Sequence, residues 1–368
     1  MNQNLYALIQ SRIPADTLKP FLVLPTGRTV SYADMDYWSA KFATVLADAG
    51  VSPGDRVVVQ TDKSPEAVML YLACLRVGGI YIPLNTAYTP SEVEYFLNDA
   101  EPVVLVCRPK SLEALSDIAT HAAVKQTFVM DADGSGTLTE AAAVAAPIED
   151  IVECETDDLA AILYTSGTTG RSKGAMLSHG NLSSNARTLH RLWAFEDSDV
   201  LLHALPIYHV HGLFVALHCA LMNGSTIHFL DKFDPETVIR LLPTSTVMMG
   251  VPTFYTRLLD EPGFTSDVSK NIRLFVSGSA PMLAETHVQF TERTGHKILE
   301  RYGMTEGGMI TSNPYDGDRV PGTVGPALPD VEVRICNKEG TPVAAGEIGV
   351  LEYKGPNLFK GYWRMPEK

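Results

Sequence analysis

The chain has 368 residues, 45% hydrophobic and 20% charged, a make-up that suits an ordinary globular protein and excludes a disordered or fibrous one. A formal charge of −14 and a pI near 5.1 argue against general affinity for nucleic acid or an anionic membrane, which clustered Lys and Arg would provide. The five cysteines (Cys74, Cys107, Cys154, Cys219, Cys336) are odd in number and lack metal-site spacing, so free thiols in a reducing compartment are expected.

A single core stops growing at about 250–300 residues, so two or three subdomains are expected. The opening Met1-Asn2-Gln3-Asn4 has no charged leader or signal-like apolar core. The greasiest run, Leu213 to Met222, is too short to span a bilayer, and the expected location is the cytoplasm. Oligomeric state is left open.

From Arg56 onward, short β-rich runs alternate with amphipathic stretches, the pattern of βαβ units around a parallel sheet. After a strand at Arg56 to Gln60, Ser64-Pro65-Glu66 supplies an N-cap, an N1 proline and a first-turn acid, and Gly78-Gly79 stops the helix. Ile80 to Ile82 reads as the next strand, Thr89-Pro90 as a helix start, and Val103 to Cys107 and Phe128 to Met130 as further strands around a helical Ser111 to Thr120. A second series opens with a helix from Gly180 to Trp193. Strands follow at Val200 to Leu205, Thr226 to Phe229, Val247 to Gly250, Leu274 to Ser277 and Ile298 to Tyr302, with a helix ending at Met222 and another capped by Asp234-Pro235-Glu236. From about Asn313, short strands sit between Gly and Pro turns, as in a small β subdomain. Ligands of open α/β sheets sit beyond the carboxyl ends of strands, where strand-to-helix turns expose N–H groups. Four turns qualify: Tyr164 to Gly174, Pro206 to Gly212, Ser277 to Pro281 and Gly303 to Gly308.

The first of these, Tyr164-Thr165-Ser166-Gly167-Thr168-Thr169-Gly170-Arg171-Ser172-Lys173-Gly174, packs hydroxyls, glycines and a lysine together. Glycine lets backbone approach a polyphosphate, Ser and Thr add neutral donors, and Lys173 adds a mobile charge. A Walker A loop is excluded, because Ser172 stands where it needs glycine and Gly174 where it needs Ser or Thr.

The string resembles the phosphate loop of the adenylate-forming superfamily, which includes acyl-CoA synthetases, luciferases and peptide-synthetase adenylation domains. Leu75 to Leu84, with its Gly78-Gly79 pair, looks like that family's early core motif, and Glu300-Arg301-Tyr302-Gly303-Met304-Thr305-Glu306 like its Tyr-Gly-x-Thr-Glu motif. Ser277-Gly278-Ser279-Ala280-Pro281 resembles the turn lining its adenine and acyl pockets; Gly346 to Glu352 with Gly361-Tyr362-Trp363 resembles its small β subdomain. The resemblance implies an α/β fold, the large N-terminal domain of an adenylate-forming enzyme: two α/β subdomains with parallel-rich sheets and a barrel-like β subdomain. The expected division is a large region of residues 1–312, split into about 51–184 and 1–50 with 185–312, followed by 313–368.

The resemblance also implies ATP, Mg²⁺ and CoA as ligands. Thr165, Ser166, Gly167, Thr168, Thr169, Gly170 and Lys173 would hold phosphates; Tyr302 would stack on adenine, Thr305 contact the α-phosphate, and Glu306 hold Mg²⁺, with Ser279, Ala280, Pro281, Glu300, Arg301 and Gly303 completing the nucleotide site. Lys173, Thr305, Glu306 and His209 are the expected catalytic residues, with Ser277 and Met304 added to the acyl pocket. The implied chemistry is attack of a carboxylate on the α-phosphate of ATP, then transfer of the acyl group to a thiol, which needs positioning and charge stabilisation rather than a side-chain nucleophile.

Leu205 to Gly212 resembles the PxxH turn of acyl-CoA synthetases, and His209 would donate to the incoming carboxylate. A core histidine satisfied by backbone is the expectation for His203, His211 and His218. Malonyl-CoA synthetases resemble the chain through Pro-Ile-Tyr-His-Val-His-Gly-Leu, Val-Pro-Thr-x-Tyr-x-Arg-Leu and Glu-Arg-Tyr-Gly-Met-Thr-Glu. The expected acid is malonate, with methylmalonate second, its far carboxylate paired by Arg257 or, in reserve, Arg301. The alternatives are a ligase for another small acid, a module loading a carrier protein, and a non-catalytic nucleotide binder. The chain ends at Lys368, before the family's Thr-Gly-Asp motif, hinge and lysine-bearing C-terminal domain, so a truncated fragment with weak nucleotide binding and little turnover is expected.

Overall fold

The structure is a computed structural model, described here for residues 2–165 and 171–368. A short pair, β1 (Pro20–Val23) and β2 (Thr29–Ser31), precedes two runs of strands. The first run is β3 (Arg56–Gln60), β4 (Ile80–Pro83), β5 (Val104–Cys107), β6 (Gln126–Val129), β7 (Leu159–Thr165) and β8 (Lys173–Ser178). They form a sheet in the order β6-β5-β3-β4-β7-β8, parallel except for β8. The second run is β9 (Val200–His203), β10 (Thr226–Phe229), β11 (Val247–Gly250), β12 (Leu274–Ser277), β13 (Leu299–Met304) and β14 (Gly308–Ser312). With β1 and β2 it forms the order β14-β13-β12-β11-β9-β10-β1-β2, antiparallel only at the two edge pairs.

The helix Pro65–Arg76 joins the two layers. Ser64 caps it by accepting from the Ala67 N–H, Pro65 occupies the first turn, and all twelve residues are buried, as its nearly unbroken apolar run requires. Each large apolar side chain fully buried there contributes about 1.5–3 kcal/mol. Tyr71 carries the seam: its ring lies 5.9 Å from Phe214, and its hydroxyl is 2.8 Å from His218 Nε2. His218 and Phe214 belong to the helical stretch His211–Leu221, whose first seven residues are π-helical.

Two expected strand-to-helix turns are hairpin ends instead. Of the first, Tyr164 and Thr165 pair with Gly174 and Lys173 in the antiparallel β7 and β8, because Gly174, Ala175 and Leu177 continue the sheet and the free edge of β8 is covered by residues 360–363. Met176 N–H donates to Gly361 O at 3.0 Å, and Trp363 N–H to Gly174 O at 2.7 Å. The helix starts only at His179, where Ser178 and Asn181 form a capping box. Gly303 to Gly308 likewise turns β13 back into β14. Beyond residue 313 the expected barrel is absent: among the described residues β15 (Glu332–Cys336) and β16 (Val350–Lys354) form a two-stranded ribbon, too short and too exposed to close on itself. Among the described residues no helix is long and apolar enough to cross a membrane.

Candidate active site

Beyond the carboxyl ends of β7, β12 and β13 lies a cavity of about 650 Å³. The hairpin β13–β14 supplies Arg301, Gly303, Met304, Thr305 and Glu306; β7 and β8 supply Thr165 and Lys173; the turn after β9 supplies His209, His211 and Gly212; and Ser279 follows β12. Nine of the expected site residues meet here: Thr165, Lys173, His209, Ser279, Arg301, Gly303, Met304, Thr305 and Glu306.

Arg301 defines the chemistry of the floor. It is 3% exposed, and its Nε and Nη2 have no hydrogen-bond partner among the described residues. Burial pushes the guanidinium down to about 10, so it remains cationic at neutral pH. A buried, uncompensated charge costs several kcal/mol, which an entering anion offsets. The guanidinium fits only because Gly278 has no side chain: a Cβ there would lie 2.3 Å from Arg301 Cζ. Gly278→Ala is expected to displace the guanidinium and weaken binding of the acid at least tenfold with nucleotide affinity unchanged, which titration of each ligand measures.

His211 faces the same space. It is 4% exposed, its Nδ1 lies 3.2 Å from Ser279 Oγ, and its Nε2 has no partner among the described residues. Burial, aided by the Arg301 charge, pushes its pKa well below the usual range, so the ring is neutral at pH 7. It is therefore a lining group and not the backbone-satisfied core histidine expected from the sequence. Ser279, which shares its hydrogen bond, holds a left-handed backbone at φ 69°. His209 stands at the mouth, exposed, with its ring 4.6 Å from Tyr208.

On the side of β8, Glu306 Oε1 accepts from Tyr362 Oη at 2.8 Å, and the Glu306 carbonyl accepts from Tyr353 Oη at 2.9 Å. Tyr362 reaches the site through the pairing of residues 360–363 with β8, and Lys173 Nζ lies 4.6 Å from its ring centre. Burial, then the Glu306 hydrogen bond, pushes the Tyr362 hydroxyl up to about 12, so it stays a donor. Among the described residues no cluster of three or more His, Cys, Asp or Glu surrounds a metal position. A lone carboxylate lining the cavity does fit Mg²⁺, which takes one or two carboxylates and completes its shell with phosphate oxygens and water.

Several expected residues lie elsewhere. Ser166, Gly167, Thr168, Thr169 and Gly170 lie outside the described residues. Glu300 is buried and already used: it accepts from the Gly322 N–H at 3.0 Å and lies 3.0 Å from His287 Nδ1. Ser277 is buried in β12 and does not line the cavity, and Tyr302, Ala280 and Pro281 stand exposed outside its lining. Arg257 is exposed at the last turn of the helix Pro252–Leu259 and lies 4.8 Å from the ring of Phe233, itself stacked on Phe254 at 4.0 Å. That stack draws it to a second cavity of about 400 Å³, lined also by Lys63 and Tyr208 and adjoining the first at Pro206. Arg257 thus lines this second cavity, and Arg301 the first.

Sequence reasoning missed His211, Tyr362 and Lys63 as groups facing a cavity. The His-x-His spacing was the available signal for the first and the Gly361-Tyr362-Trp363 motif for the second; nothing local marks Lys63.

The AMP-binding enzyme family matches residues 14–363. The mitochondrial malonate–CoA ligase ACSF3 of Mus musculus is 38% identical over 328 residues, covering 79% of this chain and 55% of that protein. A malonate–CoA ligase of Arabidopsis thaliana is 35% identical over 341 residues, covering 86% and 55%. The crystal structure of ATP-bound MatB from Rhodopseudomonas palustris superposes with a TM-score of 0.97 at 52% identity, covering all of this chain and 73% of that one. The chain thus spans about half the length of the curated relatives it matches.

Proposed function

The chain belongs to the AMP-binding enzyme family, and on that premise we propose that it serves an ATP-dependent, AMP-forming ligase joining malonate, and secondarily methylmalonate, to CoA. The observation that carries the reading is the buried Arg301 guanidinium lining the cavity, whose Nε and Nη2 have no hydrogen-bond partner among the described residues. A fatty acid would leave it unpaired, whereas the far carboxylate of a short diacid accepts from it. The relatives named as malonate–CoA ligases support the same substrate.

In this reading Arg301 holds the far carboxylate, and the near one is oriented by His209 and His211. Its oxygen bonds to the α-phosphorus of ATP as the bond from that phosphorus to pyrophosphate breaks. Lys173 and Thr305 hold phosphate oxygens on which charge gathers, and Glu306 would hold Mg²⁺, which supplies further charge neutralisation when bound. The CoA sulfur then bonds to the acyl carbon, AMP leaves with the carbon–oxygen electron pair, and the thiol proton passes to solvent. The five buried, free cysteines suit a reducing compartment, which we take to be the cytoplasm; the mouse relative is named as mitochondrial.

Calorimetric titration with ATP and Mg²⁺, with malonate, methylmalonate, acetate or octanoate present, tests the reading. Nucleotide binding that responds to the diacids and not to the monoacids is expected. A response to octanoate alone would sink it.

A further inference from the structure

Lys63 lies between β3 and the helix Pro65–Arg76, yet its amine is turned into the seam between the sheets. Its Nζ is 2.9 Å from His203 Nδ1, 2.9 Å from the His203 carbonyl and 4.3 Å from the centre of the Phe229 ring. His203, fully buried at the end of β9, places its Nε2 2.9 Å from the carbonyl oxygen of Gly212. A carbonyl only accepts, so Nε2 carries the proton. Burial, then the nearby Lys63, pushes the pKa of His203 down to about 3, so the ring is neutral and Nδ1 must accept, taking its hydrogen from Lys63.

The far end of this chain of bonds closes the turn that bears His209 and His211. Gly212 packs against the start of that turn so tightly that a Cβ would lie 2.1 Å from Pro206 O. A methionine would fill the space of Lys63 without the cost of burying an amine. What Lys63 adds is a directed N–H.

We infer that Lys63 is a positioning residue for carboxylate activation: by donating to His203 it fixes one tautomer, which anchors Gly212 and aims His209 and His211 into the acid cavity. The inference rests on the proposed function for its kinetic consequence, but its tautomer claim does not.

The test is Lys63→Met in the complete protein that carries this chain. Without substrate, the ¹⁵N resonances of the His203 ring should move from a single Nε2–H tautomer toward a mixture. With substrate, kcat/KM for malonate should fall about 100-fold, the scale of a small misplacement of reacting groups, while KM for ATP stays within about twofold. An unchanged tautomer, or equal losses for malonate and ATP, would overturn the inference. Should the variant not fold, His203→Gln, which keeps an acceptor toward Lys63 and a donor toward Gly212, must retain far more malonate turnover than His203→Leu; equal losses overturn it. If the unaltered protein does not use malonate, the proposed function fails, and the substrate-free tautomer still decides this inference.

Discussion

Arg301→Ala should lower kcat/KM for malonate by about 2–5 kcal/mol, roughly 30- to 5,000-fold, and leave ATP binding within about twofold. The effect is large because a desolvated anion loses a buried cation: Arg301 is 3% exposed, and two of its guanidinium nitrogens have no other hydrogen-bond partner among the described residues. Arg301→Lys should rescue little, since one ammonium cannot reproduce a planar fork against a carboxylate. Propionate, which lacks the second carboxylate, should lose little in Arg301→Ala, so the ratio of malonate to propionate turnover collapses. Arg257→Ala is the control, because its guanidinium lies over Phe233 in the neighbouring cavity. Pyrophosphate release measures all four. Malonate turnover of Arg301→Ala within threefold of the unaltered protein would end the assignment, and a collapse in Arg257→Ala would restore the other arginine.

The choice between those two arginines shows where the sequence runs out. Both lie in motifs that look functional, and both have the chemistry to pair a carboxylate. What separates them is burial: Phe233, twenty-four residues before Arg257, stacks on Phe254 and draws Arg257 outward, while Gly278, just past the end of β12, leaves room for Arg301. Neither fact is local to its arginine. Residue types within a motif were legible for the same reason that Thr305 and Glu306 were: one tight hairpin carries them together.

The fold divides similarly. The βαβ rhythm from Arg56 is written in caps and apolar runs, such as Ser64-Pro65 before a wholly buried helix. The pairing of β1 with β10, some two hundred residues apart, has no local mark, and neither does the reversal at β8. A glycine- and hydroxyl-rich loop after a strand reads equally as a helix entry or a hairpin end. The edge contact with residues 360–363 decides it, and the same contact brings Tyr362 to Glu306.

Glu306→Gln should lower the rate of pyrophosphate release about 100- to 1,000-fold, the scale of removing one preorganised charge-stabilising group. Glutamine keeps the size of the side chain and an oxygen to accept from Tyr362, so the packing of residues 360–363 against β8 should survive, and the melting temperature should move little. What disappears is the negative charge. If that charge holds Mg²⁺, the metal concentration for half-maximal activity should rise tenfold or more, while ATP without metal should bind no more weakly, since a repulsive carboxylate beside its phosphates has gone. If Glu306 serves only to anchor Tyr362, the opposite pattern follows: the metal dependence is unchanged, and Tyr362→Phe, which removes the hydrogen bond and keeps the carboxylate, reproduces the loss. A magnesium titration of the two variants side by side separates a metal ligand from a structural acceptor, and only the first gives the hairpin β13–β14 a direct part in phosphoryl chemistry.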